Sequence, residues 1–242
     1  MDVIVIGIAA LVTSVLSAVA GLGGGIILLA VIAQFFVPTV ALPVQGAIQF
    51  VSNGSRAVMI RRDIAWAPVL WSSLLILPAS LLGVVVATSI PEAATRIALA
   101  VFVLVVGWKP SLLTWRGGRR LPDRAMIPVG AASGFLNSTV GASGPVTSPF
   151  FKAVTVSHVA FVATAAASQV IAHTSKLVAF ALDGFSLLDH ADVVVVGCLG
   201  VTAGSWIGTR LLGRIRKGQL DLIFQIVLTA LAVRLIVQAL TE

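Results

Sequence analysis

Long apolar runs alternate with short polar or glycine-rich breaks along the chain. A membrane-crossing helix needs about 17 to 25 predominantly apolar residues. In the first half, such runs predict spans at 3–20, 43–60, 65–87 and 93–108, with a shorter apolar piece at 26–36. The same order returns at 126–139, 146–152, 157–181, 191–212 and 219–240, where the second segment is again short. This pattern predicts an all-α polytopic membrane protein with about eight to ten membrane segments.

Two blocks of the first half also match blocks of the second half. Glycine-rich residues 20–25 (AGLGGG) have their counterpart 120 positions later, in residues 140–145 (VGASGP). At the same offset, residues 49–56 (QFVSNGSR) align with residues 169–176 (QVIAHTSK), and no gap is needed between the two matched blocks. An internal duplication with broken helices is a common architecture of secondary transporters.

Basic residues indicate how the spans are oriented. Twelve of the sixteen Lys and Arg residues fall within residues 56–62, 109–124 and 210–217, and the positive-inside rule places these segments in the cytoplasm. Residues 3–36 must then begin and end outside, whereas residues 126–152 begin and end inside. We therefore expect two inverted-topology repeats, each a helical hairpin of broken or short helices followed by three transmembrane helices.

This topology divides the chain into two domains. The first repeat covers residues 1–108, the second covers residues 125–242, and residues 109–124 form a basic cytoplasmic linker. We expect a multi-pass protein of the cell membrane with both termini on the outer side. Residues 18–20 (AVA) resemble a signal-peptidase site, but no basic residue precedes the apolar stretch, so we expect no cleavage.

Composition excludes several other classes of protein. The chain is 58% hydrophobic and 10% charged, with a mean hydropathy of +1.08, whereas soluble domains carry about 25% charged residues. The net charge of +7 therefore reports topology and not nucleic-acid binding. A single cysteine, Cys198, excludes a disulfide within one chain. No Walker motif or dinucleotide fingerprint occurs, so we expect no cofactor.

For two further groups of residues we expect no binding role. Gly200, Gly204 and Gly208 form a small-residue ridge that predicts close helix packing, and Gly83 is a weak match to Gly208 at an offset of 125. The loop acids near residues 183–192 lack a recognised metal-ligand spacing, so no metal site is expected.

The glycine-rich breaks are the first part of a candidate binding site. In a membrane, irregular backbone is tolerated where it is buried in protein or lines a wet cavity. Short helices are expected to start near residues 23–26 and 143–147, and helix N-termini attract anions. Close helix packing is the alternative explanation of the glycines. The candidates here are Gly23, Gly24, Gly25, Ser143 and Gly144.

Two polar stripes form the second part of the candidate site. Residues at i and i+4 share a helix face, and buried polar groups in a span need partners or a cavity. Each of these side chains has two alternative roles, contact with a ligand or hydrogen bonding between helices. The first stripe is Gln49, Asn53, Ser55 and Arg56; the second is Gln169, His173, Ser175 and Lys176.

Three of these side chains could carry charge. Arg56 and Lys176 could bind an anion or could instead snorkel to the membrane surface. His173 lies within a span and could titrate near neutral pH, which makes it the candidate for proton coupling. A neutral, hydrogen-bonded imidazole is the alternative for His173.

These motifs resemble a known family. The resemblance rests on residues 21–25 (GLGGG), Pro38, Pro43, Gly134, residues 141–145 (GASGP) and residues 208–212 (GTRLL). With them the chain resembles the sulfite exporter TauE/SafE family, also called the 4-toluene sulfonate uptake permease family, over nearly its whole length. The resemblance implies movement of sulfur-containing anions, such as sulfite or organosulfonates, across the cytoplasmic membrane.

The expected function is therefore secondary transport and not catalysis. We expect sulfite, sulfoacetate or another organosulfonate to be moved by alternating access, with proton coupling as an option. The expected partners are this anion and the lipid bilayer, without nucleic acid; a homodimer stays open. A channel, or the membrane subunit of an ATPase-driven transporter for another small anion, is the alternative. An intramembrane enzyme is disfavoured because Ser55 and Arg56, like Ser175 and Lys176, are sequence neighbours that point apart on a helix.

Overall fold

The computed structural model describes residues 2–20, 24–109, 121–211 and 217–241. These residues form ten α-helices and no strand. The helices are α1 (Asp2–Ala20), α2 (Gly24–Ile32), α3 (Pro38–Met59), α4 (Trp66–Ser89), α5 (Glu92–Trp108), α6 (Met126–Thr139), α7 (Gly144–Val154), α8 (His158–Leu182), α9 (Ala191–Arg210) and α10 (Lys217–Thr241). Most of the predicted linker, residues 109–124, lies outside the described residues, and so does Gly23.

The helices agree closely with the apolar runs, and both short helices begin where the sequence predicts. Helix α2 begins at Gly24 and α7 at Gly144, each directly after a glycine-rich break. The prediction for α3 is wrong at its start, because the helix begins at Pro38 and not at Pro43. Proline is favoured in the first helical turn, where its missing N–H has no intrahelical acceptor. Pro43 lies inside the helix and is buried.

Within the described part of the chain, two helical stretches are long and apolar enough to cross a membrane: Trp66–Ser89 and Leu188–Arg210. Shorter apolar helical segments cover Asp2–Ala18 and Gln225–Thr241. Helices α3 and α8 carry the polar stripes, and they bury those stripes against each other and against neighbouring helices. The two polar stripes are therefore buried inside the protein.

The helices pack in pairs that link the two halves of the chain. Helix α1 packs along α9, α4 along α6, α5 along α10, and α3 against α8. The short helices α2 and α7 each contact the long helix that follows them in sequence, α3 and α8 respectively. Residues of α2, including Leu28 and Leu29, are fully buried in the main apolar core. Each half therefore completes its packing with helices of the other half.

Small residues bring the paired helices close together. The predicted ridge on α9 packs on α1, because a Cβ added at Gly204 would meet Leu11 O and one at Gly208 would meet Val15 and Ala18. On α6, Gly134 packs in the same way against Ile76 O of α4. The predicted role of the ridge in helix packing is confirmed.

Gly83 and Gly208 occupy matching places in these two helix pairs. A Cβ at Gly83 would meet Phe135 and Ser138 of α6, and these residues stand 120 positions after Val15 and Ala18, the neighbours of Gly208. The α4–α6 pair and the α9–α1 pair are thus packed in the same register.

Candidate functional site

A central cavity of about 50 Å³ lies where the short helices α2 and α7 begin beside α3 and α8. A space of about 10 to 15 Å³ is enough to hold one water molecule, so this cavity has room for a compact ion. Both halves of the chain line it. The first half contributes Ser17, Gly25, Ile26, Gln45, Gln49, Asn53 and Arg56; the second contributes Asn137, Gly141, Ala142, Ser143, Gly144, Pro145, Ala165, Ala166, Gln169 and His173.

Eight of the residues singled out from the sequence line this cavity. They are Gly25, Gln49, Asn53, Arg56, Ser143, Gly144, Gln169 and His173. Four others do not line it: Gly24 packs on Thr13 O and Ser17 of α1, and Ser55, Ser175 and Lys176 are not among the lining residues. Gly23 is outside the described residues.

Sequence reasoning missed several lining residues. Ser17 and Asn137 stand 120 positions apart and both line the cavity, so the repeat offset could have identified them. Gln45 aligns with Ala165 at that offset. Because alanine is not polar, comparing the halves did not single out Gln45.

On the second-half side, Ser143 is the centre of a hydrogen-bond network. Asn137 Nδ2 and Gln169 Nε2 each donate to Ser143 Oγ over 2.9 Å. Ser133 Oγ shares a hydrogen bond with the same oxygen, also at 2.9 Å, and Asn137 Nδ2 donates to Gln169 Oε1 over 3.1 Å. Since Ser143 directly precedes α7, this network holds the start of α7 against α6 and α8.

Gly141 allows the chain to turn into α7. Its φ is +70°, a conformation that side chains with a Cβ rarely adopt. An added Cβ would also meet the side chains of Leu29 and Leu42. The break before α7 therefore requires glycine for its backbone angle and for its close approach to α2 and α3.

On the first-half side, amides connect α3 to the start of α2. Gln45 Nε2 donates to Gly25 O over 3.2 Å. Asn53 Nδ2 donates to Gln49 O over 2.9 Å, and Arg56 Nη1 donates to Asn53 Oδ1 over 3.3 Å. The stripe on α3 thus forms a chain of hydrogen bonds along the cavity wall.

Arg56 brings an uncompensated charge to the cavity. Its side chain is 5% exposed, and its Nε and Nη2 have no hydrogen-bond partner. Nδ1 of His173, which is 3% exposed, also has none. No Asp or Glu is among the described residues that line the cavity. Since buried polar groups are normally hydrogen-bonded, these atoms mark a place where a ligand would complete the structure.

Lys176 is buried next to the cavity wall. It is 0% exposed, and its Nζ donates to Gln45 Oε1 over 2.8 Å. The side chain crosses α3 at Gly46, where an added Cβ would lie 2.5 Å from Lys176 Cε. Neither Lys176 nor Arg56 reaches the surface, so the alternative in which they snorkel is wrong.

A carboxylate that does pair with a cation lies at the start of α5. Glu92 Oε1 accepts from Arg96 Nη2 over 2.6 Å, and Arg96 Nη1 donates to Ala33 O, just beyond the end of α2. Arg96 also donates to Gln238 of α10. This cluster holds the far end of α2, while the start of α2 meets the cavity.

Comparison with known protein families identifies the kind of protein. A family model described as "Sulfite exporter TauE/SafE" matches residues 6–235. The chain belongs to the sulfite exporter TauE/SafE family. No curated protein and no solved structure matches it. TauE/SafE proteins are membrane transporters of sulfur-containing anions, and the helical structure with its apolar helices is consistent with a membrane-integral member of that family.

Proposed function

We propose that this chain is a secondary transporter that moves a small sulfur-containing anion, sulfite, sulfoacetate or another organosulfonate, by binding it in the central cavity. The observation that carries the proposal is Arg56, whose Nε and Nη2 have no partner at a cavity without a carboxylate among its described lining residues. A sulfite or sulfonate group offers several oxygens, and a guanidinium binds such groups through two parallel hydrogen bonds.

The start of α7 supports the same proposal. Ser143 and Gly144 line the cavity at the N-terminus of this helix, where the helix dipole favours an anion. Gln49 adds an amide that can donate to oxygens. Together these groups would replace the hydration shell that a compact oxyanion loses in the cavity.

The inverted-repeat arrangement is part of this proposal. Residues 1–108 and 125–242 would form two repeats of opposite orientation, with linker 109–124 in the cytoplasm and both termini outside the cell membrane. Support comes from cavity residues that match at offset 120, such as Gln49 with Gln169 and Asn53 with His173. Movement of one repeat against the other would expose the cavity to each side in turn.

Single-cysteine labelling tests this topology. In a Cys198→Ser background, a cysteine at Asp123 should react with a membrane-impermeant maleimide only after cells are permeabilised, whereas a cysteine at Asp183 should react in intact cells. Labelling of both positions from the same side would contradict the inverted arrangement.

Proton coupling through His173 is proposed as the driving mechanism. His173 lines the cavity with Nδ1 unpartnered, so an anion and a proton would bind at one place. Transport by the His173→Gln variant should lose its dependence on pH. An unchanged pH profile would support a neutral structural imidazole instead.

The anion site is tested by thermal shift of purified protein in detergent. Sulfite, thiosulfate, sulfoacetate, taurine, aryl sulfonates, sulfate and chloride are compared on the wild type and on Asn53→Ala and His173→Ala. A ligand of the folded state adds about 2.7 kcal/mol of stability at a hundredfold excess over its Kd. The shift should appear with a sulfur anion and disappear in both variants, but persist in Arg61→Gln, which changes an exposed cation.

Flux into liposomes then separates the mechanisms. Purified protein that transports alone excludes a subunit dependent on a separate ATPase. Saturating counterflow of labelled anion indicates alternating access, whereas flux that increases linearly with concentration indicates a channel.

A further inference from the structure

Lys176 is a second buried cation that the proposed anion contacts do not use. Its ammonium has three donors, and its one hydrogen-bond partner among the described residues is Gln45 Oε1. Gln45 lines the cavity, and its Nε2 donates to Gly25 O at the start of α2. A single amide therefore separates the Lys176 ammonium from the space in which the anion would bind.

Among the residues that the structure describes, no carboxylate lies within ion-pair distance of Lys176. Arg56 and His173 are the ionisable groups that α3 and α8 themselves bring to this region. Helices α4 and α6 contain no ionisable residue. On α7, the Lys152 ammonium lies over the ring of Phe161.

The turn Arg61–Asp63 also contacts α8, but at its opposite end. Ala65, just after this turn, donates its N–H to Thr164. Thr164 is twelve residues before Lys176 in the same helix, which corresponds to about 18 Å of helix length. Asp63 is also exposed, so it does not compensate the buried ammonium.

We propose that Lys176 is the second cation of the anion site and that, acting through Gln45, it makes the cavity select doubly charged anions. This inference rests on the proposed function. An unpaired charge is costly to bury, and Arg56 and Lys176 together place two such charges beside one cavity. A dianion compensates both, whereas a monoanion compensates one.

The same charges predict rejection of amine-bearing sulfonates. A zwitterion such as taurine would bring an ammonium group into a cavity that already faces two cations. Among the described lining residues there is no Asp or Glu to receive it. The charge of the ligand, in addition to its sulfur, would therefore decide which anions bind.

Gln45 explains how Lys176 can act without touching the ligand. Its Oε1 accepts from the ammonium while its Nε2 remains on the side of Gly25 and the cavity. A donor bonded to one end of an amide polarises the other end and strengthens its hydrogen bonds. Lys176 is thus a positioning and electrostatic residue.

The test measures Kd at constant ionic strength for sulfate and thiosulfate as dianions, methanesulfonate as a monoanion, and taurine. Hydrogen phosphate serves as a dianion without sulfur. The wild type should bind a dianion more tightly than methanesulfonate and should not bind taurine. Lys176→Met, of similar length but without charge, should weaken dianion binding by about tenfold more than methanesulfonate binding.

Two controls separate charge from structure. Lys176→Gln keeps a hydrogen-bond donor for Gln45 and should also lose more dianion binding than methanesulfonate binding. This variant tests the role of the charge even if Lys176→Met does not fold. Arg61→Gln should leave the preference unchanged. The ligand-free melting temperature of Lys176→Met should rise by about 2 °C or more, because a buried unpaired charge is removed; a purely structural role predicts a fall.

The outcomes distinguish this inference from the proposed function. Equal loss for monoanions and dianions in both Lys176 variants would overturn the inference and leave the proposed function standing. If hydrogen phosphate binds with the predicted Lys176 dependence while no sulfur anion binds, the proposed substrate fails and the charge selection stands. Absence of binding by every anion to the wild type would overturn both.

Discussion

The two polar stripes have the same spacing but leave their cations in different states. Lys176 on α8 reaches Gln45 on α3 and is hydrogen-bonded there. At the repeat offset of 120 positions, Arg56 corresponds to Lys176 and Ala165 corresponds to Gln45. Alanine offers no side-chain acceptor, and Arg56 keeps two unpartnered nitrogens. A single difference between the halves, Gln45 against Ala165, therefore gives Lys176 a hydrogen bond to the helix of the other stripe, whereas Arg56 donates only to Asn53 of its own helix among the described residues.

Removing the open cation should give the largest effect. Arg56→Gln eliminates the guanidinium whose Nε and Nη2 face no protein acceptor, so affinity for the sulfur anion should fall by about a hundredfold, in line with the loss of charge-assisted hydrogen bonds. Isothermal titration or thermal shift measures the loss. Arg62→Gln, an exposed cation beyond the end of α3, should bind like the wild type. A matched loss in both variants would mean that net charge, and not the site, controls binding.

A substitution at Gly46, where the Lys176 side chain crosses α3, should have the next largest effect, in this case on stability. Gly46→Ala would place a Cβ 2.5 Å from Lys176 Cε. Because Lys176 is buried and cannot move aside into solvent, we expect this overpacking to cost about 1 to 3 kcal/mol. The residue at offset 120 is already alanine, Ala166, so the change makes α3 resemble α8. Gly54→Ala in the same helix is the matched control, since nothing lies within 4 Å of its added Cβ. Melting temperatures should fall for Gly46→Ala and stay equal or rise for Gly54→Ala.

Giving Arg56 a second acceptor, in addition to Asn53, should make the two halves more alike and close the proposed site. Ala165→Gln supplies the amide that Lys176 already has in Gln45, and anion affinity should fall by about tenfold because the anion must then displace a protein hydrogen bond. Ala165→Met fills similar space without an acceptor. If Ala165→Met weakens binding as much as Ala165→Gln, lost volume and not the new hydrogen bond explains the result.

The sequence was sufficient to predict the helices and many of the polar residues that line the cavity. Apolar run lengths locate the helices because each span must be long and apolar, and the offset of 120 aligns Gln49 with Gln169 and Asn53 with His173, which the structure places around one cavity. Gln45 could not be found in this way, because its partner position holds Ala165. Its role depends on a contact with Lys176 across 131 residues. Periodicity within one helix contains no information about such a contact.

The smallest predicted effect concerns the break before α7. Ser143→Ala removes an oxygen that accepts from both Asn137 and Gln169. Each donor keeps another partner, because Asn137 Nδ2 also donates to Gln169 Oε1 and Gln169 Nε2 also donates to Ser133 Oγ over 3.4 Å. Stability should therefore fall by only about 1 kcal/mol, the usual net value of a hydrogen bond. Chemical denaturation measures this loss, and Thr139→Ala, which removes a hydrogen bond to a backbone carbonyl outside the network, is the control. A loss several times larger in Ser143→Ala than in the control would mean that the network acts as a unit and that the start of α7 depends on it.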